Sequence, residues 1–483
     1  MEKLAQSCSF QIDIYPKEII YDLLSLGCEA LSKLASLNAS SYCVRQHFCC
    51  LELSELASFN ACGLKPVFSL CHRRVQEQHN AGCFHSRSLT LIFLQGYENS
   101  SRNNQNFCTE SMQMQVTTGR YHTLLLHDSS VYSCGSSLCG VLGHGQDTTQ
   151  CVAFSRITTL SHVIHMSASH NHAAFVMQSG EVFTCGDNSS FCCGLGEVRR
   201  AIFRPTAVEA LKGIPCKQVA TGLSFTVILS KDGHVFTCGS NTHGQLGHGD
   251  NLDRATPTRV ESLEGVVQVA AGASYTFALT NDGAVYSFGS CSNFCLGHGD
   301  QHDELLPRTI QSLMMKKVHV VRVSAGDEHA VVLDSNGHVY TWGRGYCGAL
   351  GHGDENDKTT PELLSSLKSH LAVQVCARKR KTFVLTDEGS VFAFGWMGFG
   401  SLGFPDRGCS DKVLKPRVLD NLRSHYISQI STGLYHTVAL TNRGLAFGFG
   451  DNERAQLGHE WLRGCLKPTE IMLQTTTVAA QSS

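Results

Sequence analysis

Short apolar runs, separated by turns that contain glycine, recur along most of the chain. In the unit from residue 219 to 257, one apolar run ends at the turn Asp232-Gly233 and a second run ends at Gly239. The runs are rich in Val, Thr, Phe and Tyr, which favours strands over helices. Glycine supplies the positive φ that a tight hairpin needs. Each unit is therefore predicted to form a small antiparallel sheet.

Two glycine anchors repeat with one common period. The glycine that ends the second run returns every 50 to 55 residues, and a Leu-Gly pair follows it at the same step. The first anchor falls at Gly135, Gly186, Gly239, Gly289, Gly343, Gly395 and Gly450. The second falls at Gly143, Gly196, Gly247, Gly297, Gly351, Gly403 and Gly458. Two independent anchors with one period predict a repeat architecture.

Seven small sheets of this kind need one another to be stable. A single sheet exposes two apolar faces and two edges, whereas radial stacking around an axis covers the faces. We therefore expect an all-β fold, a seven-bladed β-propeller over residues 113–474. A proline opens the outgoing strand of six units, at Pro205, Pro257, Pro307, Pro361, Pro416 and Pro468. Since nothing similar precedes Val116, the segment Lys467 to Leu473 is expected to pair with the first unit and close the ring.

Two residue types inside the repeats are predicted to be structural. The histidine of the Leu-Gly-His-Gly anchor recurs, so it is expected to bond loop backbone rather than to catalyse a reaction. Its copies are His144, His248, His298, His352 and His459. Cysteines stand in three units where Trp342 stands in another, which indicates small buried residues with unreactive thiols. These are Cys134, Cys185 and Cys238.

Composition excludes several classes of protein. The formal net charge of the 483 residues is -2, so no global basic field indicates nucleic acid. The first twenty residues lack a signal sequence and no run of eighteen apolar residues occurs, which predicts a soluble protein of the cytoplasm or nucleus. The 23 cysteines are expected to be reduced. The cysteines and histidines between residues 43 and 85 lack paired ligand spacing, so neither metal nor cofactor is expected.

The region before the repeats carries a different pattern. Apolar residues at helical spacing follow a proline, which predicts short helices within residues 1–45. Residues 46–112 are left as an uncertain helical or linker region, and residues 475–483 as a tail. The segment from 14 to 39 resembles an F-box, which implies binding of the Skp adaptor of cullin-type ubiquitin ligases through Pro16, Ile19, Ile20, Leu23 and Leu24. A helical cap on the propeller is the alternative.

The repeats themselves resemble the regulator of chromosome condensation repeat family. The resemblance rests on the Leu-Gly-His-Gly-Asp segments and on Tyr340-Thr341-Trp342-Gly343, covers about three quarters of the chain, and is close to the plant branch at VTTGRYHT. It implies that the loop just before the first apolar run of each repeat lies on one face of the propeller and contacts partners. These face loops contain Arg120-Tyr121, His170-Asn171, Leu223-Ser224, Ala273-Ser274, Asp327-Glu328, Lys379-Arg380 and Leu434-Tyr435.

Three activities known in that family compete. No repeat has an insertion long enough to act as the wedge of a nucleotide exchange factor for a Ran-type GTPase. No face loop carries the tryptophan that ultraviolet-B photoreception uses. No catalytic triad or phosphate loop stands out, so an enzyme is not expected. We therefore predict a non-catalytic protein-interaction propeller, which with a working F-box is the substrate receptor of a ubiquitin ligase. Ran-type exchange is the alternative, and ultraviolet-B reception is disfavoured.

The basic run from Arg378 to Lys381 has three interpretations. It replaces the glycine that opens most of the other face loops, and it is dense in positive charge. It is a contact for an anionic partner, a nuclear signal or a solvated loop.

Overall fold

Seven antiparallel sheets of four strands each follow one another along the chain in the computed structural model. The structure describes residues 114–137, 139–196, 199–405 and 411–472. The predicted F-box-like helices, the linker region and the tail lie outside these residues. The inner strands of successive sheets contact one another, and the last contacts the first, so the sheets are the blades of a closed seven-bladed β-propeller. The predicted fold is confirmed.

Each blade uses four consecutive strands, numbered from the innermost outward. Blades 1 to 4 consist of β1 (Gln115–Thr118), β2 (His122–His127), β3 (Ser130–Ser136), β4 (Gln150–Arg156); β5 (Val163–Ala168), β6 (His172–Met177), β7 (Val182–Asp187), β8 (Ala201–Ala207); β9 (Cys216–Thr221), β10 (Phe225–Ser230), β11 (Val235–Gly239), β12 (Arg254–Arg259); and β13 (Val266–Ala271), β14 (Tyr275–Thr280), β15 (Val285–Gly289), β16 (Glu304–Thr309). Blades 5 to 7 consist of β17 (Val320–Ala325), β18 (His329–Asp334), β19 (Val339–Gly343), β20 (Lys358–Leu363); β21 (Ala372–Arg378), β22 (Lys381–Thr386), β23 (Val391–Trp396), β24 (Lys412–Val418); and β25 (Ile427–Thr432), β26 (His436–Thr441), β27 (Ala446–Gly450), β28 (Cys465–Ile471). A short helix α1 (Gln311–Met315) joins blades 4 and 5.

Glutamine side chains on the inner strands connect neighbouring blades. Gln218 Nε2 donates to the carbonyl of Val269 at 3.3 Å, and Gln218 Oε1 accepts from the amide of Val269 at 3.0 Å. One side chain thus bonds the next inner strand as a neighbouring backbone would. The same two-bond arrangement joins Gln268 to Val323, Gln374 to Ile430 and Gln429 to Val116.

The ring closes through such contacts rather than by exchange of a strand. The amide of Val116 donates to Gln429 Oε1 at 3.1 Å, and the hydroxyls of Thr118 and Ser431 lie 2.9 Å apart. Strand β28 pairs with β27 of its own blade. The prediction that residues 467–473 pair with the first unit was therefore wrong. The first repeat has its own outer strand β4, which lacks the proline found in the other six.

Glycine at the Leu-Gly anchor brings each blade close to the next. Gly247 has φ 81°, and a Cβ built on it would lie 2.8 Å from the ring of Phe288 in the following blade. Where Cys134 replaces the aromatic residue, Phe154 of β4 fills the space, 2.7 Å from the corresponding position on Gly458. Burial raises the pKa of the Cys134 thiol well above its ordinary value, which agrees with an unreactive core position.

The anchor histidine has a different partner from the one predicted. His248 Nε2 lies 2.9 Å from the hydroxyl of Thr237 on the third strand, and that hydroxyl donates to the carbonyl of Leu246 at 2.8 Å. The same pair recurs as His144 with Ser133, His298 with Ser287 and His352 with Thr341. For these four copies the expectation of a bond to loop backbone was wrong, because Nε2 meets the hydroxyl of a strand side chain instead. In the fifth copy, His459, Nε2 has no hydrogen-bond partner among the described residues.

Candidate protein-interaction face

All seven face loops lie at one end of the propeller. Each joins the first strand of a blade to the second, and because the strands are antiparallel, the connection from third to fourth strand returns to the same end. The glycine turns between second and third strands occupy the opposite end. We call the end with the face loops the loop face.

Blades 5, 6, 7 and 1 build one continuous cluster on the loop face. Its members are cationic and aromatic side chains that contact one another in a chain of rings and charges. We call it the cationic–aromatic patch, and it consists of Arg120, Tyr121, Arg344, Tyr346, Lys379, Arg380, Trp396, Phe399, Tyr435 and Arg454.

Lys379 is at the centre of this patch. Its Nζ lies 4.2 Å from the ring centroid of Trp396 and 4.3 Å from that of Tyr435. An ammonium over two aromatic faces is attracted by both ring quadrupoles. Phe399 meets Tyr435 edge to face, with centroids 5.2 Å apart. Burial lowers the pKa of Lys379, and the Asp327 carboxylate opposes that effect.

Two further tyrosines extend the patch on either side. The ring of Tyr121 stacks on Tyr435 with centroids 5.7 Å apart, and the guanidinium of Arg120 lies 4.9 Å from the Tyr121 centroid. On the other side, the guanidinium of Arg380 lies 4.7 Å from the centroid of Tyr346. The patch therefore spans four blades, and its charge is carried by the ammonium of Lys379 and by the planar guanidinium groups around it.

An ion pair fixes the edge of the patch. Arg344 donates to a carboxylate oxygen of Glu328 at 2.6 Å, and both side chains are half-buried. Arg344 also lies 5.4 Å from the Tyr346 centroid. The predicted face-loop residue Glu328 thus acts as an anchor for an arginine of the same blade.

The basic run of blade 6 forms an unusual turn. Arg378 pairs with Lys381 across the hairpin, so the loop consists of Lys379 and Arg380 alone. Lys379 has φ 52°, a left-handed conformation that is uncommon for a residue with a side chain. Its amide donates to Asp327 Oδ1 at 3.2 Å, which helps to hold the turn. The run is therefore a fixed part of the patch rather than a freely solvated loop.

Lys381 is a buried amine beneath the patch. Its side chain is 0% exposed, and Nζ has no hydrogen-bond partner among the described residues. Burial lowers its pKa to about 7. The corresponding residue of blade 3 is the apolar Phe225, and that of blade 5 is His329, which reaches the hydroxyl of Thr382 at 2.9 Å.

Five patch residues were not predicted from the sequence: Arg344, Tyr346, Trp396, Phe399 and Arg454. The positions of Arg344 and Trp396 could have been found from the anchor glycines. The first anchor glycine lies at the end of the third strand, and the amide of the next residue donates to the carbonyl of the second face-loop residue. Trp396 donates in this way to Arg380, and Arg344 donates to Glu328, each at 2.9 Å. This position therefore always lies on the loop face. Tyr346, Phe399 and Arg454 lie in the connections from third to fourth strand, three or four residues after the glycine at the end of the third strand, where the residue type varies from blade to blade.

The remaining predicted face residues lie outside the patch. Leu223 is 42% exposed, and its amide donates to the carbonyl of Ala273 at 3.1 Å. Asn171 and Ser224 add no charge, and His170 belongs to blade 2, outside the four blades that form the patch. Leu434 is only 7% exposed, so its side chain is not available to a partner.

Comparison with known proteins agrees with this repeat geometry. A model described as the RCC1-like domain matches residues 261–482, and the regulator of chromosome condensation (RCC1) repeat matches residues 179–229 and 232–279. The chain is an RCC1-like repeat protein. The resemblance seen in the sequence is thereby confirmed at the level of the repeat.

This RCC1-like chain is similar to proteins of different overall size. It is 32% identical over 347 residues to the ultraviolet-B receptor UVR8 of Arabidopsis thaliana, which covers 71% of this chain and 66% of that protein. It is 36% identical over 349 residues to the probable E3 ubiquitin-protein ligase HERC4 of Homo sapiens, which covers 71% of this chain and 27% of that protein. The chain therefore spans less than two thirds of either relative.

Solved structures share the RCC1-like fold. Prp20p of Saccharomyces cerevisiae aligns with a TM-score of 0.65 at 19% identity, covering 76% of this chain and 89% of that one. Human WBSCR16 aligns with a TM-score of 0.63 at 22% identity, covering 71% and 94%. At these identities the likeness concerns the fold alone.

The described residues of the RCC1-like chain contain no group of three or more His, Cys, Asp or Glu side chains arranged to hold a metal ion. In the same part of the chain, no helix has the length and apolar character needed to cross a membrane.

Proposed function

We propose that the chain is a non-catalytic protein-interaction propeller that holds a protein partner on the cationic–aromatic patch. The observation that carries this proposal is the continuity of the patch across four blades. Its outermost rings are accessible, since Phe399 is 52% exposed and Tyr346 is 47% exposed. Tyrosine, tryptophan and arginine are the residues that most often dominate the binding energy of protein interfaces.

The patch is also preorganised for binding. Lys379 is held between two rings and Arg344 is held by Glu328, so these side chains lose little freedom when a partner docks. An acidic segment of the partner would complement the cations, and its apolar side chains would cover the rings. This surface chemistry supports recognition of a protein and gives no group the position of a general acid, base or nucleophile.

We further propose that the chain is the substrate receptor of a cullin-type ubiquitin ligase. The segment from 14 to 39 supports this role by its resemblance to an F-box, in which Ile19, Ile20, Leu23 and Leu24 would contact the Skp adaptor. A second support is that relatives named as E3 ubiquitin-protein ligases contain a similar propeller within a longer chain. In this proposal the propeller selects the substrate and the N-terminal segment delivers it to the ligase.

Partner capture by two charge-matched variants tests the role of the patch. In the first, Lys379→Leu and Arg380→Ser copy the face loop of blade 3. In the second, Lys231→Leu and Arg443→Ser remove the same charge from exposed turns at the opposite end. We expect the first variant to lose the partner retained by the wild type and by the second variant. Equal retention by all three would contradict the proposal.

The ligase role is tested separately through the adaptor. Replacing Ile20 and Leu23 by Asp should abolish capture of a Skp adaptor, because charge in a desolvated apolar contact is strongly unfavourable. The propeller partner should be retained. A wild-type chain that binds no adaptor would exclude the ligase role, and faster nucleotide release from a Ran-type GTPase would favour exchange activity instead.

A further inference from the structure

Four of the seven blades carry a charged or titratable side chain at the first position of the face loop. The first loop position of each blade lies next to the axis, since it continues the innermost strand. In blades 1, 2, 5 and 6 these positions are Arg120, His170, Asp327 and Lys379. Arg378, the last residue of β21, adds a further cation in blade 6. We call this group the axial cluster.

The members of the axial cluster act on one another across the ring. Blades 2 and 6 are not neighbours, yet the field of Arg378 reaches His170. The pKa of His170 is lowered to about 4, first by burial and then by the fields of Arg378, Arg120 and Lys379, and Asp327 opposes this shift. The loop positions of these residues adjoin the axis, where side chains of different blades approach one another. Arg120, His170 and Arg378 each place a buried nitrogen in this region, so we treat the cluster as one site.

Three nitrogen atoms of this site lack a partner. Within the described residues, Nε of Arg120, Nε of Arg378 and Nδ1 of His170 are buried and make no hydrogen bond. Buried polar nitrogens are normally satisfied, so three unpaired ones on residues that adjoin the axis favour binding of an acceptor there. Asp327 is the carboxylate of the cluster that acts on His170. Its Oδ1 already accepts a hydrogen bond from the amide of Lys379.

The charge of the site also favours an anion. Arg120, Arg378 and Lys379 contribute three positive charges against the one negative charge of Asp327. The fully buried Lys381 lies within electrostatic reach of Arg378 and Lys379, which adds to the positive potential when it is protonated. A bound anion would both accept the free hydrogen bonds and offset this charge.

We propose that the axial cluster binds a compact oxyanion of the phosphate type. The free donors come from blades 1, 2 and 6, which approach the axis from three directions, and a tetrahedral phosphate offers oxygens in three directions where a planar carboxylate does not. Guanidinium groups suit phosphate oxygens in both charge and geometry. Inorganic phosphate and a phosphate group carried by a protein partner share this chemistry. The site goes beyond the proposed function, because free phosphate would bind without any partner.

Titration of the full chain with inorganic phosphate tests the site. The readout is the NMR signal of the His170 imidazole, assigned by its loss in His170→Asn, at constant ionic strength maintained with sodium chloride. We expect a saturable shift. The pKa of His170 should rise on binding, because the anion offsets the fields of Arg120, Arg378 and Lys379, while Asp327 acts in the same direction already. A signal that moves no more than in sodium chloride would overturn the proposal.

A matched pair of variants separates a specific site from general charge. Arg378→Gly restores the glycine that most other blades have at this point, so the blade should fold. Arg423→Gly makes the same change at an arginine that is 70% exposed. We expect the first to weaken phosphate binding at least tenfold and the second to leave it unchanged. Equal weakening in both would overturn the proposal.

A second arm identifies the source of the phosphate. A short phosphoserine peptide is titrated beside inorganic phosphate with the same readout. Tighter binding of the peptide assigns the site to a phosphorylated partner, and tighter binding of inorganic phosphate assigns it to the free ion. If neither saturates, no phosphate site exists at the axis.

Discussion

Blades 3 and 6 have the same backbone frame and opposite chemistry at the loop face. In blade 3 the face loop is Leu223-Ser224 and the next residue, Phe225, is fully buried. In blade 6 the loop is Lys379-Arg380 and the buried residue is Lys381. In blade 3 the carbonyl of Ser224 accepts a hydrogen bond from the amide of Ser240, and in blade 6 the carbonyl of Arg380 accepts one from the amide of Trp396, each at 2.9 Å. The same backbone therefore accommodates either apolar or cationic side chains, and we attribute the difference between the two blades to partner binding.

The two blades differ in what this chemistry costs. Phe225 contributes to an apolar cluster between blades 3 and 4. Lys381 instead buries an amine without a partner, and Lys379 adopts a left-handed backbone conformation. Both features disfavour folding. Blade 6 thus gives up stability where blade 3 does not, which is typical of a functional site.

The largest expected effect comes from making the buried position of blade 6 apolar. Lys381→Met removes the amine and keeps the length of the side chain, so the free energy of unfolding at pH 7 should rise by on the order of 4 kcal/mol. The pKa of Lys381 is about 7 in the folded chain against an ordinary value of 10.5. Between these values the unfolded state binds the extra proton, so wild-type stability should increase from pH 7 to pH 10.5 and that of the variant should not.

Denaturant unfolding of both proteins across this pH range measures the effect. The reciprocal control, Phe225→Lys, should destabilise blade 3 by a similar amount. A Lys381→Met chain no more stable than wild type would mean that the amine has a partner in solution.

The second prediction concerns the frame that the two blades share. Gln218 joins blade 3 to blade 4, and Gln429 joins blade 7 to blade 1. Replacing either by Ala leaves a backbone amide and a carbonyl of the next blade without that partner. Each change should cost about 1–3 kcal/mol of unfolding free energy. Thermal melts of the two variants should therefore agree, and a silent Gln429→Ala would show that the ring closes by other contacts.

The third prediction changes a patch residue to its blade 3 counterpart. Trp396→Ser copies Ser240 and removes one of the two rings beneath Lys379. Partner binding should weaken about tenfold, since an aromatic anchor and a cation–π contact are both lost. The melting temperature should change little. Binding is measured by titrating the purified partner, with Ser240→Trp as the control that should gain no affinity.

The smallest expected effect is a null result with ultraviolet-B light. Trp342 is fully buried, Trp396 lies beside Lys379, and Trp461 stacks on His459 with centroids 4.4 Å apart. Each of the three indoles thus has a different neighbour rather than another indole. Irradiation should leave the oligomeric state unchanged in size-exclusion chromatography. A shift after irradiation would contradict this expectation.

The periodic part of the structure could be predicted from sequence, because glycine anchors and short apolar runs depend on local geometry. The hairpin at Asp232-Gly233 and the burial of Cys238 follow from such rules. Ring closure could not be predicted, because the outer strand β4 lacks the proline that marks the outer strand of the other six blades, and the first repeat was therefore taken to lack that strand. The seam instead depends on the side chain of Gln429, which no periodic pattern marks as a contact with Val116.

The site was only half visible for a related reason. Face loops could be located by counting from the anchors, which identified Lys379, Arg380 and Tyr435. Their partners Tyr346 and Phe399 come from connections of variable sequence, and they meet the face loops only when four blades are assembled. Convergence around an axis is a property of the closed ring and leaves no mark in a single repeat.

Site-specific photo-crosslinking tests most directly whether the partner binds the cationic–aromatic patch. A photoreactive phenylalanine analogue replaces Tyr346, which is 47% exposed in the patch, or Tyr426, which is 46% exposed and bonds the carbonyl of Asp387 at the opposite end. The two positions are matched in exposure and differ in location. We predict a crosslink to the bound partner from position 346 and none from position 426. Crosslinks from position 426 alone would contradict the assignment of the loop face as the binding surface.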